Sequence, residues 1–147
     1  MPDKIEEFRD EYYFLSNFSD HGFEYEGIYY PTNEHFFQAM KTLDNKKRKN
    51  IASAVTPSKA KKLGRRVNLR KGWNKKRHKV MKRGLYEKFA QNPALIDRLL
   101  ATGEAKLVEG NTWGDNYWGN DFRTKKEGKN YLGKYLMQLR KNFREEK

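Results

Sequence analysis

The chain has 147 residues, no cysteine and a formal net charge of +13. This length predicts one domain spanning residues 1–147, and the absence of cysteine excludes disulfides and cysteine-ligated metal sites and is typical of a reducing, cytoplasmic location. No apolar run approaches the roughly 18 residues that would cross a membrane, and three histidines without HxxxH spacing argue against a histidine zinc site.

The first predicted elements are a short hairpin and a helix. The segment FEYEGIYY alternates around Glu26-Gly27, which predicts a hairpin, and the residues before it look irregular. Pro31 and Thr32 then open a helix over about 33–43, with Thr32 as N-cap. The core face of that helix is predicted to hold Phe36, Ala39, Met40 and Leu43.

Most of the remaining chain is predicted to be helical. The helices are expected at residues 46–54, 57–64, 73–91, 94–100 and 131–143. A short strand is expected at 106–108. Residues 109–130 are rich in Gly, Asn and Asp and contain Trp113 and Trp118, which favours an ordered ligand-binding loop. The predicted fold is therefore mainly α, with a small β element and one long Gly/Trp-rich loop.

The positive charge is concentrated in one segment. No acidic residue lies between Asp44 and Glu87, whereas seventeen Lys or Arg lie from Lys46 to Arg83; the rest of the chain has fifteen basic and nineteen acidic residues. This distribution favours a surface that faces phosphate groups, in nucleic acid or in a phosphorylated small molecule. The alternative is a solvated basic face that only aids solubility.

A line of three polar side chains follows one face of the helix that begins near residue 33. Glu34, Gln38 and Lys41 are spaced i, i+4 and i+7, so that a carboxylate, an amide and an ammonium project in one direction. Such a line on a rigid element suits a polar ligand or acid–base chemistry. The alternative is a surface stripe, with Glu34 only complementing the helix dipole.

Aromatic segments supply further candidates for ligand contact. In FLSNF, at 14–18, Asn17 could bond a ligand and Phe18 could stack, although Asn17 is equally suited to satisfying a turn. Trp73 is either a stacking surface or a core anchor for the long helix.

The long loop holds the second candidate carboxylate. Asp115 precedes Trp118 and Gly119, which fits a catalytic or ribose-binding carboxylate beside a stacking surface. The alternative is an Asx-turn, with Trp118 packing the loop down.

Taken together, these segments resemble one family, the NADAR or YbiA-like N-glycosidases. The resemblance covers about residues 12–143, and an extra Trp113 in NTWGDNYWGN is its one departure. The matching stretches are FLSNF at 14–18, YPTNEHFFQAMK at 30–41, TPSKAKKLGR at 56–65, Trp73, VMKRGLYEKFAQNP at 80–93, LLATGEAKLVE at 99–109, Asp115 with YWG at 117–119, and GKNYLGKYLMQLR at 128–140.

The resemblance implies a mainly helical fold and an enzyme that cleaves an N-glycosidic bond at ribose C1. Two substrate classes are associated with such a family: phosphorylated ribosylamino-pyrimidine intermediates of riboflavin biosynthesis, and ADP-ribose attached to guanine in nucleic acid. The basic segment favours the nucleic-acid-linked substrate. The riboflavin intermediates remain an alternative, as does a non-catalytic nucleic-acid-binding module. No membrane partner is expected, and protein partners are not indicated.

Breaking a ribosyl C–N bond requires leaving-group protonation, charge stabilisation at C1 and a nucleophile. By analogy with O-glycosidases, we predict Glu34 and Asp115 for the two carboxylate roles. Lys41 is predicted to bind phosphate or to attack C1 as an amine. No metal or cofactor is required. The residues predicted to bind substrate are Asn17, Phe18, Gln38, Arg65, Arg66, Lys71, Trp73, Trp118, Gly119 and Asn130, of which Arg65, Arg66 and Lys71 are assigned to phosphate.

Overall fold

The computed structural model describes residues 2–146. The chain forms two compact units: a central unit, Asn17–Asn92, and a terminal unit made of the residues up to Ser16 and from Pro93 onward. Within residues 2–146 there are six α-helices, one 3-10 helix and six strands of two or three residues, which agrees with the mainly α prediction. None of the described helices has both the length and the apolar character needed to cross a bilayer.

The central unit begins with the predicted hairpin. Strands β2 (Phe23–Tyr25) and β3 (Ile28–Tyr30) pair antiparallel. The two turn residues, Glu26 and Gly27, have φ of 50° and 83°. Positive φ at both central positions is the turn geometry whose twist matches the flanking strands, and Gly27 adopts it without steric cost.

Helix α1 (Asn33–Ala39) follows at once and is shorter than predicted. The Thr32 hydroxyl accepts the backbone N–H of His35, which confirms the predicted N-cap. The prediction that the helix runs to Leu43 is wrong, and so is the placing of Leu43 in the core, because that side chain is 66% exposed. After Ala39 the backbone N–H groups of Lys41 and Thr42 bond to the carbonyls three residues back, which tightens the helix end.

Three helices pack around α1: α2 (Asn45–Ala52), α3 (Pro57–Gly64) and α4 (Trp73–Ala90). Asp44 and Thr56 cap α2 and α3, and each side chain accepts backbone N–H groups of the first turn. Residues 32–40 are all buried as a result. Phe36 lies at the centre of this packing, with its ring centroid 5.2 Å from that of Phe23 and 5.5 Å from that of Tyr30.

The terminal unit is built on α5 (Pro93–Ala101) and α6 (Tyr131–Glu145), which pack together. The helix expected at 131–143 is present as α6, and one apolar face of it is buried, at Leu132, Leu136, Leu139 and Phe143. The strand expected at 106–108 is present as β4 (Lys106–Leu107). It pairs in parallel with β1 (Lys4–Ile5), which was not predicted. A 3-10 helix at Asp10–Leu15 was not predicted either.

The segment 109–130 is not the continuous loop that its composition predicted. It contains β5 (Gly110–Asn111) and β6 (Asn120–Asp121), which pair in parallel. Alternation cannot identify strands of two residues, so this pairing depends on the tertiary fold alone.

Candidate active site

The predicted polar line lies in the interior of the central unit. Glu34 is 9% exposed and Gln38 is 4% exposed. The Gln38 side-chain amide donates to Glu34 Oε2 over 2.6 Å. A buried carboxylate held by a short hydrogen bond is not a solvated surface stripe, and the packing of α1 between three helices is the reason.

The other end of the Gln38 amide is an unused acceptor. Gln38 Oε1 is buried and has no hydrogen-bond partner within residues 2–146. Such an atom carries a desolvation cost until a donor reaches it. The amide is confined because a Cβ on Gly64 of α3 would lie 2.0 Å from Gln38 Oε1. Gly64 therefore allows α3 to approach α1 at this point.

Lys41 stands just beyond the C-terminus of α1 and is half-buried. Burial lowers the pKa of its ammonium, Glu34 opposes that change, and the cations Arg65 and Lys61 add to it. Because charges shift a pKa only at short range, the end of α3 must lie near the polar line on α1. The backbone carbonyl of Lys41 also accepts the N–H of Arg70 at 2.7 Å, which anchors the following loop.

Asn17 holds the start of α1. Its side-chain oxygen accepts from Asn33 Nδ2 at 2.8 Å, and its own Nδ2 lies 3.5 Å from the sulfur of Met81. Its carbonyl accepts the backbone N–H of Glu34, one of the N–H groups that a helix start leaves unbonded. These bonds favour a positioning role for Asn17, and Phe18 beside it is half-buried.

The remaining candidates of the central unit differ in exposure. Trp73 is 6% exposed, and its ring centroid lies 5.3 Å from that of Phe37, so its packing favours the core-anchor alternative. Arg65, Arg66 and Lys71 are exposed. Of these three, only Arg65 is linked to the polar line, through its effect on the pKa of Lys41.

In the terminal unit, Asp115 forms the Asx-turn that was the alternative for this residue. Its Oδ1 accepts the backbone N–H of Tyr117 at 3.0 Å and of Trp118 at 2.9 Å. Asn111 fixes the backbone of Asp115 from both sides, by accepting its N–H and by donating to its carbonyl. Asp115 Oδ1 is thereby committed to holding the turn.

An aromatic cluster adjoins this turn. The ring of Tyr117 lies 4.9 Å from the rings of Trp118 and Tyr131, centroid to centroid. Tyr131 stacks on Tyr135 of α6 at 6.0 Å. Trp118 therefore stands in a packed group and is half-buried.

Two further residues predicted to bind substrate, Gly119 and Asn130, make close contacts within the terminal unit. A Cβ on Gly119 would lie 2.2 Å from the backbone carbonyl oxygen of Glu109, which cannot move aside as a side chain can, so only glycine fits this approach. Both ends of the Asn130 amide are engaged: Nδ2 donates to the Leu107 carbonyl at 2.9 Å, and Oδ1 accepts the N–H of Glu109 at 3.0 Å.

Asp121, a further carboxylate of the segment 109–130, is already engaged. Arg123 binds it at 2.8 Å and, by hydrogen bonds and charge, lowers its pKa to about 2. Such a group does not exchange protons near neutral pH. Within the described chain, no three His, Asp or Glu side chains gather where they could hold a metal ion.

Sequence reasoning missed several residues of these two sites. Lys61 influences Lys41 across helices, and Asn111 organises the Asp115 turn. Lys61 carries no local signal because it acts between helices, whereas Asn111 lies only four residues before Asp115. Tyr131 and Tyr135, at i and i+4 beside the apolar face of α6, could have been found from their spacing.

Comparisons with known proteins agree with this fold. The NADAR domain pattern matches residues 5–144, a range that includes parts of both units. The NMR structure of the Escherichia coli protein YbiA superimposes with a TM-score of 0.85, at 40% identity, over 99% of this chain and 88% of that one.

Two curated relatives show the range of names in the family. The N-glycosidase YbiA of Escherichia coli (strain K12) is 43% identical over 140 residues, 94% of this chain and 86% of that protein. The riboflavin biosynthesis protein VVA0006 of Vibrio vulnificus (strain YJ016) is 34% identical over 134 residues, which is 90% of this chain but 36% of that protein.

The fold, the buried polar line and these matches define a hydrolase acting on N-glycosyl bonds, as predicted. The chain belongs to the NADAR family.

Proposed function

We propose that this chain hydrolyses the bond between ribose C1 and a base nitrogen, and that its substrate is ADP-ribose attached to guanine in nucleic acid. The observation that carries the proposal is the buried line on α1. There, a carboxylate bonded at 2.6 Å by an amide shares its surroundings with an ammonium whose pKa is lowered.

Each group of the line has a part in this hydrolysis. The C1–N bond breaks as water supplies oxygen to C1, and the departing guanine nitrogen receives a proton. Glu34 serves either as the acid or base for these protons or as the anion that stabilises positive charge at C1. Asp115 takes the other role. Gln38 Oε1, an acceptor without a partner in the described chain, is suited to a donor on the sugar or base.

Lys41 has two proposed roles. As a cation it binds a phosphate of the substrate, with Arg65 as a second phosphate ligand and Arg66 and Lys71 as outer ones. As an amine it attacks C1 and displaces the base, which leaves with a proton; water then cleaves the bond between C1 and the lysine nitrogen, which releases ADP-ribose and restores the amine. Its lowered pKa favours the amine role, because more of it is neutral at a given pH.

The guanine-linked substrate is supported by the basic segment, since a strand of nucleic acid brings several phosphates where a small metabolite brings few. The phosphoribosylamino-pyrimidine intermediates of riboflavin biosynthesis are the second candidate, supported by the name of the Vibrio vulnificus relative. The family match disfavours the third alternative, a non-catalytic binding module.

Three broader predictions belong to the same proposal. The aromatic cluster beside Asp115 provides ring faces for a base of the substrate, and Phe18 is a second candidate, whereas Trp73, 6% exposed, anchors the core. The chain acts as one domain. It works in the cytoplasm, in accord with the absence of cysteine.

Substrate assays with mass-spectrometric detection test the proposal. The protein is incubated with single-stranded DNA carrying ADP-ribosylated guanine and, separately, with the phosphoribosylamino-pyrimidine. Release of ADP-ribose and restoration of guanine is the expected result. Turnover of the pyrimidine alone would replace the substrate by the second candidate, and no product from either would overturn the proposal.

A further inference from the structure

A cavity of about 790 Å³ opens in the central unit, with one wall formed by α4. Six cationic side chains line it: Arg48, Arg70, Lys76, Lys79, Lys82 and Arg83. The one carboxylate in the lining, Glu26, lies 3.5 Å from Arg48. The cavity therefore has a large positive excess and suits an anionic occupant.

The cavity lies on the opposite side of α1 from the polar line. Phe36 of α1 and Met40 at the C-terminal end of that helix line the cavity, whereas Glu34 and Lys41 do not line it. At 100° per residue, Phe36 points roughly 160° away from both Glu34 and Gln38, and Met40 roughly 120–160° away from them. The cavity is thus a site separate from the proposed hydrolytic one.

The cations of α4 form a row along this wall. Lys76, Lys79, Arg83 and Tyr86 are spaced i, i+3, i+7 and i+10, which places them on one face over about 15 Å. Lys76 and Lys79 are exposed, and no carboxylate of residues 2–146 forms an ion pair with either. A row of this length matches several phosphates in succession better than a single one.

Aromatic rings accompany the charges. Tyr25 is half-buried and meets the buried Phe36 edge-on at 5.1 Å, and Tyr86 is 44% exposed. A ring at the mouth of a cationic cavity offers a stacking surface to an unpaired base, whereas the bases of a duplex are stacked on one another and cannot use it.

We propose that this cavity is a binding site for single-stranded nucleic acid, in which the α4 cations contact successive phosphates and Tyr86 stacks on a base. Binding here requires neither Glu34 nor the hydrolysis assigned to it. The cavity would bind nucleotides of the strand other than the one that reacts. It would therefore also bind strands that carry no modification.

Fluorescence anisotropy with a labelled, unmodified 12-nucleotide DNA strand tests this assignment. Lys76→Gln/Lys79→Gln is expected to weaken binding about tenfold or more at 0.1 M salt. It should also reduce the slope of log K against log salt by about 1.4, which is 0.7 for each lost phosphate contact on a single strand. Lys46→Gln/Lys47→Gln is the matched control, because it removes two exposed charges of the same segment outside the cavity lining. The control should change affinity less than about threefold.

A second pair of variants tests the stacking role. Tyr86→Leu is expected to lower affinity for the strand several-fold without changing the salt slope, because a ring contact releases no counterions. Tyr29→Leu, at an exposed ring outside the cavity lining, should have no such effect. Circular dichroism confirms that each variant is folded.

Four results would overturn the proposal. These are no binding by the wild-type protein, equal losses in the cavity and control variants, equal affinity for a duplex of the same length, and equal affinity for a free mononucleotide. The last would reassign the cavity to small nucleotides. Loss of hydrolysis in Glu34→Gln with unchanged strand binding would support two separate sites. Retained hydrolysis in that variant would count against the proposed function but would leave the strand-binding proposal unaffected.

Discussion

Glu34 is positioned by residues on both sides of it in the chain. Asn17 accepts its backbone N–H, and Gln38, one turn later, donates to its carboxylate. Its place in the first turn of α1 adds the favourable field of the helix N-terminus. The carboxylate is therefore held in one orientation before any ligand arrives, which is the condition for acid–base or electrostatic catalysis.

Replacing Glu34 by Gln is expected to leave the fold intact and to lower kcat by about 100-fold or more, because the proton-transferring or charge-stabilising group is lost. Release of ADP-ribose under saturating substrate is the measurement. Glu24→Gln, at an exposed carboxylate on β2, is the control and should keep full activity. Unchanged turnover in Glu34→Gln would remove the central assignment.

Lys41 can be tested by charge-preserving substitution. Lys41→Met should reduce kcat/KM at least about 100-fold in either proposed role. Lys41→Arg separates the two: a phosphate ligand tolerates arginine within about tenfold, whereas an amine nucleophile does not, since guanidinium stays protonated. Borohydride added during turnover should trap an adduct on Lys41 only if the amine attacks C1.

At the scale of elements, the site depends on how closely α3 approaches α1. Gly64 is buried at the C-terminal end of α3 against the Gln38 side chain. Glycine serves there as a contact surface as well as a helix end, so the packing of two helices and the geometry of the polar line are coupled.

Gly64→Ala is expected to destabilise the protein by about 1–3 kcal/mol, although alanine normally stabilises a helix relative to glycine. The added Cβ would lie 2.0 Å from Gln38 Oε1, so Gln38 must move and weaken its bond to Glu34. The free energy of unfolding measured with urea and kcat should both fall. Ser58→Ala, on the exposed side of α3, should change stability by less than about 0.5 kcal/mol. A more stable Gly64→Ala variant would contradict this close approach.

At the scale of the whole molecule, one buried cation links stability to pH. Lys88 of α4 is fully buried, and burial lowers its pKa from 10.5 to about 7. Between about pH 7 and pH 10 the unfolded chain therefore binds a proton that the folded chain does not. Stability from this group rises with pH across that window.

Lys88→Met is expected to flatten that rise and to increase stability at pH 7 by about 1 kcal/mol or more, because no charge needs to be buried. Urea unfolding from pH 6.5 to 9.5 is the measurement; this range stays below the titration of the buried Tyr30, whose pKa burial raises to about 12. Lys75→Met, at an exposed site on the same helix, should leave the slope unchanged. A wild-type slope of opposite sign would refute the argument.

Much of the fold could be predicted locally. The hairpin at Glu26-Gly27, the Thr32 and Thr56 caps and the apolar face of α6 all follow from neighbouring residues. The end of α1 could not be predicted in this way. Leu43 continues the helical spacing, but α1 ends at Ala39, and the carbonyl of Thr42 accepts from the Arg48 side chain of the next helix.

The sequence by itself determined the helical class, the starts of the helices, the basic segment and the spacing of Glu34, Gln38 and Lys41. These follow from backbone propensities, caps and period, which act over a few residues. Only the tertiary structure decided that the polar line is buried, that both ends of the Asn130 amide are engaged, and that the α4 cations border a cavity. The reason is physical: burial and charge environment are set by residues far apart in the chain, and one face of a helix has the same spacing whether it meets solvent or protein.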